Sequence, residues 1–112
     1  MNLSFKQAKQ EDIEVIFHLC KQLIDDYEQL ETIDYSKVIE WIYKKIEKSI
    51  DEYTVVYYHF QKVGYYHFYK NTDNVYELDD LYIFSEFQNL GIGTAIIAHC
   101  LKSVNDSVML SK

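Results

Sequence analysis

Residues 75–94 read VYELDDLYIFSEFQNLGIGT, and the parsing of this stretch decides the fold. Val75 to Phe84 are apolar and aromatic with acids interleaved, and they form a long strand. SEFQNLGIG follows, with Gly91 and Gly93 two apart, and then a helix from about residue 93 to 103. Glycines at a strand–helix junction let the backbone turn tightly and approach a ligand closely. A helix start adds unpaired N–H groups and the positive end of a dipole. Together they suit an anion such as a pyrophosphate, although a G-x-G pair is also common as plain turn chemistry. Two phosphate motifs are excluded. The dinucleotide fingerprint needs a third small residue where Ile96 stands, and the nucleotide P-loop needs a lysine where Thr94 stands.

Upstream of this stretch, 3–8 (LSFKQA) alternate as a short strand. Ile13, Ile16, Phe17, Cys20, Leu23, Ile24 and Tyr27 then mark one face of a helix over 11–30. A second helix over 35–49 buries Tyr35, Val38, Ile39, Ile42 and Ile46, with Asp34 as N-cap. Residues 53–60 and 62–70, rich in Tyr, Val and Phe, form an antiparallel hairpin turning near Gln61, and 71–74 (NTDN) is a turn. Downstream, Asn105-Asp106 predicts a turn and 107–110 (SVML) a last short strand. The fold class is α/β. The sheet is mixed and mostly antiparallel, flanked by helices, in the order β-α-α-β-β-β-α-β.

The chain has 112 residues, the size of one domain, 1–112. Its eleven basic residues are all lysine and face 18 acids, for a net charge of −7. Nucleic acid is an improbable partner for an acidic chain without arginine. No apolar run is long enough to span a bilayer, and Met1 to Lys6 lack signal-peptide order. Cys20 and Cys100 make no disulfide framework, so the expected setting is cytoplasmic. Scarce Gly and Ala, with no Pro or Arg, point to an AT-rich, bacterial genome.

With its elements in this order, the chain resembles the GNAT family of acyl-CoA-dependent N-acyltransferases. The family signature is a strand, then Q/R-x-x-G-x-G/A, then a helix. Here Glu77 to Ile83 precede Gln88-Asn89-Leu90-Gly91-Ile92-Gly93. The resemblance covers the whole chain, and what it implies is specific. Acetyl-CoA is the cosubstrate. Gln88, Asn89, Leu90, Gly91, Ile92, Gly93 and Thr94 cradle its pyrophosphate through backbone N–H groups. Leu81, Tyr82 and Ile83 border the pantetheine arm, which pairs with the strand like an added strand. The Leu81 N–H stabilises the oxyanion formed when an amine attacks the thioester directly in a ternary complex.

The attacking amine must lose a proton, and a carboxylate with a raised pKa in a strand buried on both faces would serve. Glu77, Asp79 and Asp80 are available. Strict alternation puts Glu77, Asp79, Leu81 and Ile83 on one face and Leu78, Asp80 and Tyr82 on the other. Some family members place a catalytic glutamate six residues before the pantetheine-contacting residue. Glu77 matches that position relative to Ile83, with Asp79 as second choice. Asp25, Asp26, Glu28, Glu31 and Asp34 form either a solvated connection or a negative rim that attracts a cationic amine.

The remaining residues carry bland readings. His18 lies on a helix surface, and His99 packs or caps. His59 and His67 face each other across the hairpin without a third ligand, so no metal is expected. Cys20 and Cys100 are buried thiols. The family continues past the last strand into one more helix, with a thiolate-protonating tyrosine, and two more strands. The chain therefore reads as a C-terminally short member whose open last strand pairs with a second copy. Two functions follow. One is an N-acetyltransferase acting on a small cationic primary amine. The other is a weak or inactive acyl-CoA-binding, oligomerising module.

Overall fold

The structure is a computed structural model that describes residues 2–26 and 34–110. In chain order the elements are β1 (Leu3–Gln7), a 3-10 turn (Gln10–Asp12), α1 (Ile13–Asp26), α2 (Tyr35–Ser49), a 3-10 turn (Ile50–Glu52), β2 (Tyr53–Tyr58), β3 (Gln61–Lys70), β4 (Tyr76–Ile83), a 3-10 turn (Ser85–Phe87) and α3 (Ile92–Leu110). The four strands lie in the order β1-β2-β3-β4 in one antiparallel sheet, with β4 outermost. The backbone groups into two compact units, Gln7–Tyr53 and the remainder, Met1–Lys6 with Thr54–Lys112.

The Gln7–Tyr53 unit is an α1–α2 pair. Ile13, Ile16 and Cys20, spaced at three and four, are buried, as are Ile46 of α2 and Tyr53. Phe17 meets Tyr43 edge-on at 5.1 Å, and the Tyr43 hydroxyl donates to Glu14 at 2.9 Å. Asp34 caps α2 by accepting from the Lys37 N–H at 3.4 Å. The expected extension of α1 over 27–30 lies outside the described residues.

The other unit holds the sheet and α3. Val56, Val63, Tyr66, Ile92, Ile96 and Cys100 form its core, with Leu3, Phe5, Phe68, Leu81, Ile83 and Phe87 packed around it. His99 stacks on Phe5 with ring centroids 3.8 Å apart. The Tyr66 phenol and the Cys100 thiol are hydrogen-bonded to each other in this core, and burial pushes the phenol up to about 12.

Three local features differ from expectation. The β2–β3 turn falls at His59-Phe60, one residue earlier than Gln61, and both residues have positive φ, 50° and 65°. A two-residue hairpin loop whose twist matches its strands needs two left-handed residues. No Gly or Asn marks them here. His59 therefore sits in the turn and does not face His67.

The predicted turn at Asn105-Asp106 and strand over 107–110 do not form, because α3 runs unbroken to Leu110. Neither Gly nor Pro stops the helix, and extending a nucleated helix costs less than starting an isolated four-residue strand. The element order is thus β-α-α-β-β-β-α.

The third difference lies in β4. Its register against β3 pairs Tyr69 with Glu77, Phe68 with Leu78 and His67 with Asp79, then shifts so that Tyr66 pairs with Leu81. Asp80 is the extra residue of a bulge and has φ 51°.

β3 and β4 also approach unusually closely at Gly64. A Cβ there would stand 2.2 Å from the Tyr82 carbonyl oxygen. Gly64→Ala is expected to destabilise the protein by about 2–3 kcal/mol, seen as a lower urea midpoint at unchanged slope. An unchanged midpoint would contradict the close approach.

Candidate functional site

The site begins where β4 hands over to α3. Asn89 (φ 65°) and Gly91 (φ 84°) are both left-handed, so the chain doubles back within three residues. The first intrahelical bond runs from the Ala95 N–H to the Gly91 carbonyl at 3.1 Å. The N–H groups of Ile92, Gly93 and Thr94 therefore lie ahead of the helical ladder, at the positive end of a 19-residue helix. The Ile92 side chain is buried at 1% exposure and Ile96 at 0%, which pins this first turn to the core. Gln88 holds the loop from the other side, its side-chain amide donating to the Ile83 carbonyl at 3.0 Å. Gln88, Asn89, Leu90, Gly91 and Thr94 are exposed.

The two glycines differ in what requires them. Gly91 needs its left-handed backbone. Gly93 has no such φ, and a Cβ there would meet nothing within 4 Å. Inside a helix a glycine costs about 0.5–1 kcal/mol relative to alanine. The space above Gly93 is open, so no packing neighbour requires glycine there.

The bulge at Asp80 changes the expected sharing of faces in β4. Cross-strand partners share a face, so Asp79 lies with His67 and Leu81 with Tyr66. Those two β3 residues are adjacent and point oppositely. Glu77 and Asp79 are therefore on the face opposite Leu81 and Ile83, which pack toward α3. Strict alternation fails because one inserted residue reverses the parity.

The environment of the acids also differs from the expected strand buried on both faces. β4 is the outer strand, and Glu77 is exposed. Its carboxylate accepts from the Tyr69 hydroxyl and, at 3.2 Å, from the Asn71 amide. These two donors hold the carboxyl below its ordinary range, where burial was expected to raise it. Asn71 is itself fixed by the turn, its side-chain oxygen accepting from the N–H groups of Asp73 (2.9 Å) and Val75 (3.0 Å).

Asp79 is half-exposed and stands 3.8 Å from Nδ1 of buried His67 (Oδ2 to Nδ1). His67 stacks on Tyr69 at 4.5 Å. The donor atoms of His67, Asp79 and Asp80 all lie within 4.8 Å of one another, so two carboxylates gather at a histidine expected to lack further ligands. Nothing in the spacing of residues signalled this, since the bulge carries no glycine. Of the acidic rim, Asp34 is used as a helix cap, and Glu28 and Glu31 lie outside the described residues.

The profile of the Acetyltransferase (GNAT) family matches residues 10–110. No curated protein sequence matches the chain. Among solved structures, it is similar to N-acetylglutamate synthase from Neisseria gonorrhoeae complexed with coenzyme A and N-acetyl-glutamate. That match has a TM-score of 0.68 and 19% identity, over 95% of this chain and 23% of that one. An N-acetyltransferase from Staphylococcus aureus Mu50 gives 0.66 and 17%, over 89% of this chain and 75% of that one. The PaiA N-acetyltransferase from Thermoplasma acidophilum, in complex with coenzyme A, gives 0.62 and 16%, over 96% and 74%. Identities this low speak for the fold alone, and the chain spans under a quarter of the gonococcal synthase. A profile match over nearly the whole length, on a fold with its strand, glycine turn and helix in the family's order, makes the chain a member of the GNAT acetyltransferase family.

Proposed function

We propose that the chain is a single N-acetyltransferase domain, 1–112, that binds acetyl-CoA. The acetyl group passes directly to the primary amine of a small, cationic acceptor. The observation that carries this reading is the open space at Gly93, on a helix start pinned by Ile92 and Ile96. The N–H groups that lie ahead of the helical ladder there suit a pyrophosphate. The outer edge of β4 runs up to this loop, and no described strand covers it. That edge would take the pantetheine arm along Leu81, Tyr82 and Ile83, with the Leu81 N–H directed at the thioester oxygen. The amine nitrogen forms the new bond to the carbonyl carbon, the C–S bond breaks, and the departing thiolate takes up a proton from solvent water. The hydrogen-bond donor steadies the oxyanion between these events.

Glu77 is the carboxylate assigned to the acceptor, and Asp79 shares its face of β4 as the second choice. Because Tyr69 and Asn71 keep Glu77 ionised, its first role is to attract the ammonium group. Proton transfer from the amine to Glu77 runs through water. The net charge of −7 adds attraction at longer range. A carboxylate held low is a weak base, and this favours a second reading, acyl-CoA binding without useful turnover. The free thiols Cys20 and Cys100, both buried, suit a cytoplasmic setting, and the amino-acid composition suits a bacterial one.

The premise for self-association through an open strand over 107–110 falls with that strand. An apolar groove of about 370 Å³ remains beside β4 and α3, lined by Phe68, Tyr76, Leu78, Ile97, Leu101 and Val104. Its Leu78, Ile97 and Leu101 are exposed, and a second copy of the chain would cover them. Light scattering at micromolar concentration is expected to show a dimer, and a monomer throughout would remove the proposal.

Gly93→Ala is expected to weaken acetyl-CoA more than tenfold in calorimetry while leaving the melting temperature equal or higher. Wild-type affinity in that variant would overturn the pyrophosphate site. Glu77→Gln is expected to lower thiol release on cationic amines about 10- to 100-fold with acetyl-CoA affinity unchanged. Acetyl-CoA binding with no release on any amine selects the second reading.

Tyr69→Phe is expected to move the Glu77 titration, followed by NMR, upward toward the ordinary carboxylate value. A folded-state pKa held low stabilises the fold above the unfolded value, and this contribution is lost as pH falls through the folded one. The variant should therefore lose part of its stability advantage at neutral pH and none at strongly acid pH.

A further inference from the structure

We propose that His67, Asp79 and Asp80 form a binding site for one divalent transition-metal ion of the zinc type. The site lies beside Glu77 and leaves it out. Its three donors come from two strands: His67 from the middle of β3, and Asp79 and Asp80 from consecutive positions of β4. Consecutive residues of a regular strand point to opposite faces and cannot share an ion. The bulge removes that obstacle. At φ 51° Asp80 leaves the alternation, and its carboxylate gathers with that of Asp79 around the imidazole.

The spacing fits a shared ion. His67 Nδ1 and Asp79 Oδ2 are 3.8 Å apart, too far for a hydrogen bond. Two donors each about 2.0–2.2 Å from a common zinc stand about 3.4 Å apart at a tetrahedral angle and about 4.2 Å apart when opposed. The largest separation in the cluster is within 4.8 Å, so small side-chain rotations close it. The charges agree as well: two carboxylates and one imidazole offer two negative charges to a doubly positive ion.

The environment supplies both rigidity and entry. The His67 side chain is 4% exposed and is stacked on Tyr69, so one donor is locked in place. The Asp79 side chain is 43% exposed, so the site opens to solvent, and water completes the coordination. A nitrogen with two carboxylate oxygens suits zinc, manganese or cobalt better than a thiolate-seeking ion.

The test is isothermal titration of the full chain with zinc chloride, with cobalt(II) absorption as a second probe. One ion per chain is expected. Asp79→Asn and Asp80→Asn should each weaken uptake at least tenfold while circular dichroism stays unchanged. Asn tolerates the left-handed backbone at position 80, so the Asp80 variant keeps the bulge. His67→Asn is the third variant, and because His67 is buried the two aspartate variants decide the outcome. Absence of stoichiometric uptake below about 100 μM, or uptake unaltered in both aspartate variants, overturns the site. No acyl donor is present in this experiment, so its outcome is independent of whether the chain transfers acetyl groups.

Discussion

β3 and β4 are paired from Gly64–Ile83 to Lys70–Tyr76, and the ladder absorbs one residue too many at Asp80. Everything chemically useful in β4 depends on that insertion. On the Glu77 side of the bulge, the acids share a face with Tyr69 and His67. On the Ile83 side, Leu81 and Ile83 face the α3 core. Without the extra residue, the apolar pair would fall on the face of the acids, and either the core would lose Leu81 and Ile83 or Glu77 and Asp79 would be driven into it. Burying a carboxylate without partners costs far more than a local left-handed residue. The bulge is the less expensive arrangement, and it delivers three acids to one edge of the sheet.

The same ladder fixes the glycine loop. Gly64 lets the β3 and β4 backbones meet at van der Waals contact with no side chain between them. The Gln88 amide ties the loop to the Ile83 carbonyl, and Ile92 and Ile96 seal the first turn of α3 against Val56 and Val63. The helix start is thus held by apolar packing on one side and by the Gln88 amide on the other, and the N–H groups ahead of its ladder are fixed in direction. Preorganised donors of this kind lose little freedom on meeting an anion.

The long periodic segments were legible in advance. The stripe from Ile13 to Cys20 and the Asp34-capped helix from Tyr35 to Ser49 follow from spacing and capping alone. The strand–glycine–helix junction was legible too, because only backbone freedom explains Gly91 at that place. Three features were not. The His59-Phe60 turn uses left-handed residues that no Gly or Asn announces. The Asp80 bulge depends on which β3 residue each β4 residue meets, a long-range fact absent from local pattern. The continuation of α3 through Asn105-Asp106 reflects helix propagation winning over weak turn propensity.

The sequence by itself determined the succession of helices and strands as far as the head of α3, the acidic character and the glycine turn there. These are local properties, set by side-chain periodicity over one or two turns and by which residues tolerate positive φ. Only the tertiary structure decided which acids share a face, that Glu77 is held ionised by Tyr69 and Asn71, and that His67 meets Asp79 and Asp80. Each of these is a relation between β4 and residues of β3 or the turn between them. A register shift of one residue reverses it, and composition and spacing within either strand leave that register open.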